Sequence, residues 1–169
     1  MKSLKVCLLG PSFSGKTSLV NYLHDIPYND NNDATIGVAY SCVKIENARL
    51  HLWDTAGQER YAPLLSMYYR NADICICMFD ASNHSSLIEL EKLIPKLSPD
   101  TKIIVLGNKI DLLNNTIEYN TTLEPIYISI KEKKGLDAFT KQLRTHIQSI
   151  PFKPEDINEG IQSSYSCCY

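Results

Sequence analysis

Gly10-Pro11-Ser12-Phe13-Ser14-Gly15-Lys16-Thr17 is the stretch that decides the fold. A glycine, four residues and then Gly-Lys-Thr is the spacing of a loop that cradles phosphate. Gly10 and Gly15 let the backbone turn tightly enough for amides along Ser12, Phe13, Ser14, Gly15 and Ser18 to face phosphate oxygens. Lys16 adds a charged donor, and the Thr17 hydroxyl suits one position around a magnesium ion. The flanks agree. Leu4–Leu9 is an apolar run ending at the loop, and Thr17–His24 reads as a helix whose N-terminus faces the phosphates. The loop specifies phosphate, but no particular nucleotide.

The chain of 169 residues is the size of one domain, and 44% hydrophobic with 21% charged residues is ordinary for a globular protein. A net charge of −2 argues against a nucleic-acid groove, which carries a basic excess. Met1-Lys2-Ser3 lacks the glycine of a myristoylation site, no signal peptide precedes the first strand, and no apolar stretch reaches the ~18 residues of a membrane span. A cytoplasmic domain is expected. Cys7, Cys42, Cys75 and Cys77 fall in strand patterns and read as small buried hydrophobes, whereas Cys167 and Cys168 are adjacent in a tail without core pattern.

Past the first helix, Asp25–Asp33 is a polar loop. Val38–Glu46 and Arg49–Trp53 form a hairpin about Asn47-Ala48. The second strand delivers Asp54-Thr55-Ala56-Gly57-Gln58-Glu59. An acid at the end of an apolar strand, opposite a phosphate loop, is placed to reach magnesium. Gly57 can offer its amide to a terminal phosphate, and Gln58 can both donate to and accept from an attacking water. Tyr61–Arg70 reads as a short helix after Pro63 whose aromatics either pack on the sheet or face a partner. Asp73–Asp80 is a buried strand, Ser85–Leu97 has helical spacing, and Lys102–Gly107 is another strand.

That strand ends in Asn108-Lys109-Ile110-Asp111, which selects the base. A carboxylate accepts two hydrogen bonds from the N1–H and 2-amino group of guanine. Adenine offers an acceptor and nothing, so Asp111 would be left unpaired. Asn108 can tie this motif to the phosphate loop, and the Lys109 stem can lie along the base. Pro125–Ile130 is the last strand and Leu136–Ile147 a closing helix. The expected fold is a three-layer α/β P-loop NTPase domain over residues 1–150, followed by a tail over 151–169. Its sheet is six-stranded and mostly parallel, with one antiparallel edge hairpin and helices on both faces.

The three motifs in this order resemble the Ras-like small GTPases, and the Rab family most. Rab-like stretches include Thr35-Ile36-Gly37-Val38, Trp53–Tyr61 and Tyr68-Tyr69-Arg70-Asn71-Ala72. The resemblance implies a GTP-hydrolysing switch of vesicle traffic that binds GTP or GDP with magnesium. By it, Thr35 joins Thr17 and Asp54 at the metal, Tyr28 packs on guanine, Gln58 positions the water, and the Ser129-Ile130-Lys131 loop meets the base. It also implies catalytic support from Lys16, Thr35 and Gly57. Effectors, exchange factors and activating proteins would bind through residues 25–45 and 57–72 of a monomer. Prenylation of Cys167 and Cys168 would hold it reversibly on endomembranes.

The chain departs from that family in five places. Val38-Ala39-Tyr40 stands for the usual Val-Asp-Phe, and the hairpin is about four residues shorter. Ile130 replaces the usual alanine of a Ser-Ala-Lys and either crowds the base or packs on it. Pro11, Phe13 and Ser14 are atypical in the phosphate loop. Between Asp111 and Ser129 there is too little chain for a crossover helix with its loops, so that helix is expected to be missing or reduced to a turn.

Overall fold

A computed structural model describes residues 1–30, 35, 37–55, 62–113, 119 and 121–152. Its centre is a six-stranded sheet in the order β2-β3-β1-β4-β5-β6. Strand β1 (Lys2–Leu9) lies in the middle because it is apolar on both faces from Val6 onward, which suits a doubly covered parallel strand. It pairs in parallel with β3 (Ala48–Thr55) and β4 (Ile74–Asp80). Outside β4 run β5 (Lys102–Asn108) and the two-residue β6 (Ile126–Tyr127). Only β2 (Val38–Ile45) is antiparallel, paired with β3 at the sheet edge.

Alternation along β1 assigns the two cores. Leu4, Val6 and Leu8 face α1 (Lys16–Leu23) and α4 (Leu136–Ser149), packing with Leu19, Phe139, Leu143 and Ile147. Cys7 and Leu9 face the opposite side, with Cys75, Cys77 and Phe79, under α2 (Ala62–Tyr69) and α3 (His84–Glu91). Progress across the sheet reverses at β1, so the loop after β1 stands at the switch point where such sheets bind ligands.

Several local expectations change. The third helix stops at Glu91, and Ile94–Lys96 continue as a 3-10 turn, because Pro95 cannot donate to an α-helical ladder. Helix α2 begins at Ala62, before Pro63 rather than after it, since proline is tolerated in a first turn. The last strand is two residues long, because Ser129 turns back to bridge Lys134. Cys42 is half-exposed rather than buried, as befits the edge strand that carries it.

Of the crossover after β5, Ile110–Leu112 form a 3-10 turn and none of the described residues from Leu113 to Pro125 is helical, while residues 114–118 and 120 lie outside the described residues. Tyr119 helps cover the flank. Its ring meets Phe79 edge-on and stacks on His84, and its hydroxyl donates to the Ala81 carbonyl at 2.6 Å. At the other end of the molecule the Lys2 ammonium is buried on three carbonyls closing α4, those of Ile147, Gln148 and Ile150. That is a charge on the negative end of a helix dipole. Among the described residues no helix is long and apolar enough to cross a membrane. The tail from 153 onward, with Cys167 and Cys168, lies outside the described residues.

Candidate functional site

One cleft of about 330 Å³ opens where the C-terminal ends of the strands meet the loop after β1. Its lining takes Ser12, Phe13 and Gly15–Ser18 from the phosphate loop, Tyr28 and Thr35 from the α1–β2 connection, and Asn108, Lys109, Asp111, Ile130 and Lys131 from the far side. Residues from three widely separated stretches thus share one wall-to-wall site. Ser14 and Ser129 are fully buried beneath that lining, and Asp54 is nearly so. Gly57 and Gln58 lie outside the described residues.

The loop is held by close packing. Gly10 (φ +142°) passes so near β4 that an added Cβ would lie 2.0 Å from the Met78 carbonyl oxygen. Gly15 (φ +98°) is the N-cap of α1, and a Cβ there would meet the Asn108 amide at 2.2 Å. The helix starts without a side-chain cap, which leaves its first-turn amides to an anionic ligand. Phe13 also adopts the left-handed region (φ +63°), and its side chain is 73% exposed at the cleft.

Lys16 is buried, its ammonium donating to the carbonyls of Gly10 at 2.9 Å and Pro11 at 2.8 Å. Burial lowers its pKa to about 8, partly opposed by the Asp54 carboxylate. Thr17, Thr35 and Asp54 come together. The Thr17 hydroxyl lies 2.8 Å from that of Thr35 and donates to Asp54 Oδ2 at 2.7 Å. The other carboxylate oxygen, Asp54 Oδ1, is buried with no hydrogen-bond partner. Burial raises the Asp54 pKa, against the Thr17, Lys16 and Thr35 interactions that lower it. Two hydroxyls and a carboxylate, one of whose oxygens is buried without a partner, make a hard-oxygen donor set, which fits magnesium.

At the opposite end, the Asn108 amide donates to the Ser14 carbonyl at 3.0 Å, and its oxygen accepts from the Ile130 amide at 3.3 Å. The Ser129 hydroxyl donates to Asp111 Oδ1 while accepting from the Glu132 amide, so it orients the carboxylate. The Ile130 side chain is buried in the core and also lines the cleft. Lys109, in the left-handed region (φ +68°), pairs with Asp80 at 2.7 Å. Burial pushes Asp80 up, but the bonds from Lys109 and Ser82 outweigh it and hold the carboxylate below its usual range.

Sequence reasoning missed Asp80 and Asp30. Asp80 ends β4 as Asp54 and Asn108 end or nearly end their strands, and that shared position was the available signal. Asp30 has no comparable signal, because its partner Lys131 lies 101 residues away.

The family model described as Ras of Complex, Roc, domain of DAPkinase matches residues 5–111. The chain is 40% identical over 153 residues to GTP-binding protein YPT53 of Saccharomyces cerevisiae, covering 85% of this chain and 70% of that protein. Over 120 residues it is 40% identical to GTP-binding protein YPTC5 of Chlamydomonas reinhardtii, and over 117 residues 41% identical to GTP-binding protein ypt5 of Schizosaccharomyces pombe. It spans 58% and 56% of those two, less than two thirds of their length. With the phosphate loop, the Thr17–Thr35–Asp54 convergence and the Asp111 pocket in one cleft, the chain belongs to the Rab/Ypt group of Ras-type small GTPases.

Proposed function

We propose that this chain is a guanine-nucleotide switch of intracellular membrane traffic that binds GTP, hydrolyses it slowly and holds GDP. The observation carrying the reading is that one cleft holds a hard-oxygen metal set at one end and an oriented carboxylate at the other. Asp111, steered by Ser129, accepts the paired donors of guanine, while Lys109, Tyr28, Ile130 and Lys131 surround the base. Ser12 to Ser18 offer amides and the Lys16 ammonium to the phosphates. Thr17, Thr35 and Asp54 would hold magnesium, which supplies charge neutralisation on the phosphate oxygens when bound. Thr35 also lies on the α1–β2 connection, so a γ-phosphate held there would order that connection and hydrolysis would release it.

Gln58 orients the attacking water in this reading, with Gly57 donating its amide to the γ-phosphate. Among the described residues no arginine lines the cleft, so in this reading turnover is slow until an activating protein supplies one, an effect of roughly 10³–10⁵. Single-turnover hydrolysis with and without Gln58→Leu tests it: the wild type should convert bound GTP and the variant should not. Equal rates contradict hydrolysis by this route. The exposed, left-handed Phe13 favours one alternative, a scaffold that holds GTP or GDP with little turnover, and the same assay separates the two.

Effectors and regulators would dock through 25–45 and 57–72. Support comes from a run of rings, Tyr40 to Trp53 at 5.3 Å and Trp53 to Tyr68 at 5.8 Å, beside the exposed Met67. Membrane attachment would come from two prenyl groups on Cys167 and Cys168, since one chain binds marginally and two bind stably. Mass spectrometry of the protein from its own cell should find both thiols modified. Unmodified cysteines contradict the anchor. The reading is of a cytoplasmic monomer cycling on and off endomembranes, with no nucleic-acid partner.

A further inference from the structure

Lys131 reaches across the mouth of the cleft. Its ammonium pairs with both carboxylate oxygens of Asp30, at 2.9 and 3.3 Å, and lies 6.0 Å from the centre of the Tyr28 ring. Asp30 and Tyr28 belong to the connection after α1, and Lys131 to the loop after β6. All three line the cleft. One side chain therefore ties two points of the segment that walls the base end to the loop that forms its other wall.

We infer that the Asp30–Lys131 pair is a latch on the nucleotide exit, setting how long a guanine nucleotide stays bound. The inference rests on the guanine-nucleotide reading above. A base leaving between Tyr28 and the Asp111 loop must part the two walls, and parting them breaks the ion pair and the ammonium–ring contact together. Both partners are well exposed, at 52% and 67% of their side-chain surface, so the pair is a modest restraint that salt weakens. Modest is the useful strength here, since an exchange factor could open such a latch by offering either charge a competing partner.

The test is the release of radiolabelled GDP from full-length protein, followed by filter binding in excess unlabelled GDP. Asp30→Asn should speed release roughly two- to fivefold at low salt. Wild-type release should quicken between 50 and 500 mM sodium chloride, about one Debye-length regime to the next, while the variant's should change little. Asp30→Lys should release faster still, and the swap Asp30→Lys with Lys131→Asp should recover much of the lost retention. Thermal melting of each variant checks that Asp30, exposed on a loop, can change without unfolding the domain. Release that ignores Asp30 and salt overturns the latch alone. A well-folded protein that takes up no guanine nucleotide overturns the latch and the proposed function together.

Discussion

The Asn108 side-chain amide donates to the carbonyl of Ser14, 94 residues earlier in the chain, at 3.0 Å, and stands where a Gly15 Cβ would be. Its oxygen accepts from Ile130. One buried side chain therefore fixes the phosphate loop, the base-reading motif and the last loop against each other. Asn108→Ala would leave a buried carbonyl and a buried amide unsatisfied, costing about 2–3 kcal/mol of unfolding free energy. GDP affinity should fall at least about tenfold with it, because the two ends of the cleft lose their registration. Urea denaturation and calorimetric titration measure both. A stability within about 0.5 kcal/mol of wild type would contradict this account.

Much of that site was legible in the sequence because its motifs are local. Gly10–Thr17 and Asn108–Asp111 each end an apolar strand, and a doubly wound sheet brings strand ends together. Asp54 was legible for the same reason. The Asp30–Lys131 and Lys2–α4 contacts were not, since each joins residues over 100 positions apart with no pattern between them. The last strand is shorter than its pattern suggests because Pro125–Ile130 is apolar but for Ser129, whose hydroxyl is spent on Asp111 and Glu132 and whose backbone turns back to bridge Lys134. Short apolar runs do not reveal where pairing stops.

Lys16 makes nucleotide affinity depend on pH. Its folded pKa is lowered to about 8, so the free protein has lost about half of this charge by that pH, while bound phosphates would restore it. GDP binding at pH 8.5 should take up roughly half a proton or more, and at pH 6.5 none through this group. Stability of the nucleotide-free protein responds oppositely. The unfolded lysine keeps its proton to about pH 10.4, so between about 8 and 10 this group adds stability as pH rises. Titration calorimetry in buffers of different ionisation heat reads the uptake, and none at pH 8.5 would contradict the assignment.

Phe13 holds backbone strain on the rim of the cleft. A bulky residue at φ +63° costs of order 1 kcal/mol, and asparagine tolerates that region better. Phe13→Asn should therefore stabilise the nucleotide-free domain by about 0.5–1 kcal/mol, since the 73% exposed ring gives up little packing. Phe13→Ala should change the GDP dissociation rate if the ring lies over bound nucleotide. Unchanged melting in the first variant and unchanged release in the second would make Phe13 a passive surface residue.

Tyr119 covers the flank of the sheet beside Phe79 and His84. Losing its hydroxyl in Tyr119→Phe removes the bond to Ala81 and should cost about 1 kcal/mol. Tyr119→Ala also removes the contacts with Phe79 and His84, for about 2–3 kcal/mol in all. Chemical denaturation of both variants orders them, and an alanine variant no worse than the phenylalanine one would show that the ring packs on nothing that matters.

The central claim is that Asp111 reads guanine. The most direct measurement is the affinity of wild type and Asp111→Asn for GDP, ADP and xanthosine diphosphate, taken side by side. The account predicts that the wild type prefers GDP to ADP by 10³ or more, roughly the margin expected when a buried polar pair is left unmatched. It predicts that the variant loses GDP and gains the xanthine nucleotide, whose added carbonyl suits the asparagine amide. A wild type that binds ADP as well as GDP, or a variant whose preference does not move, would contradict it.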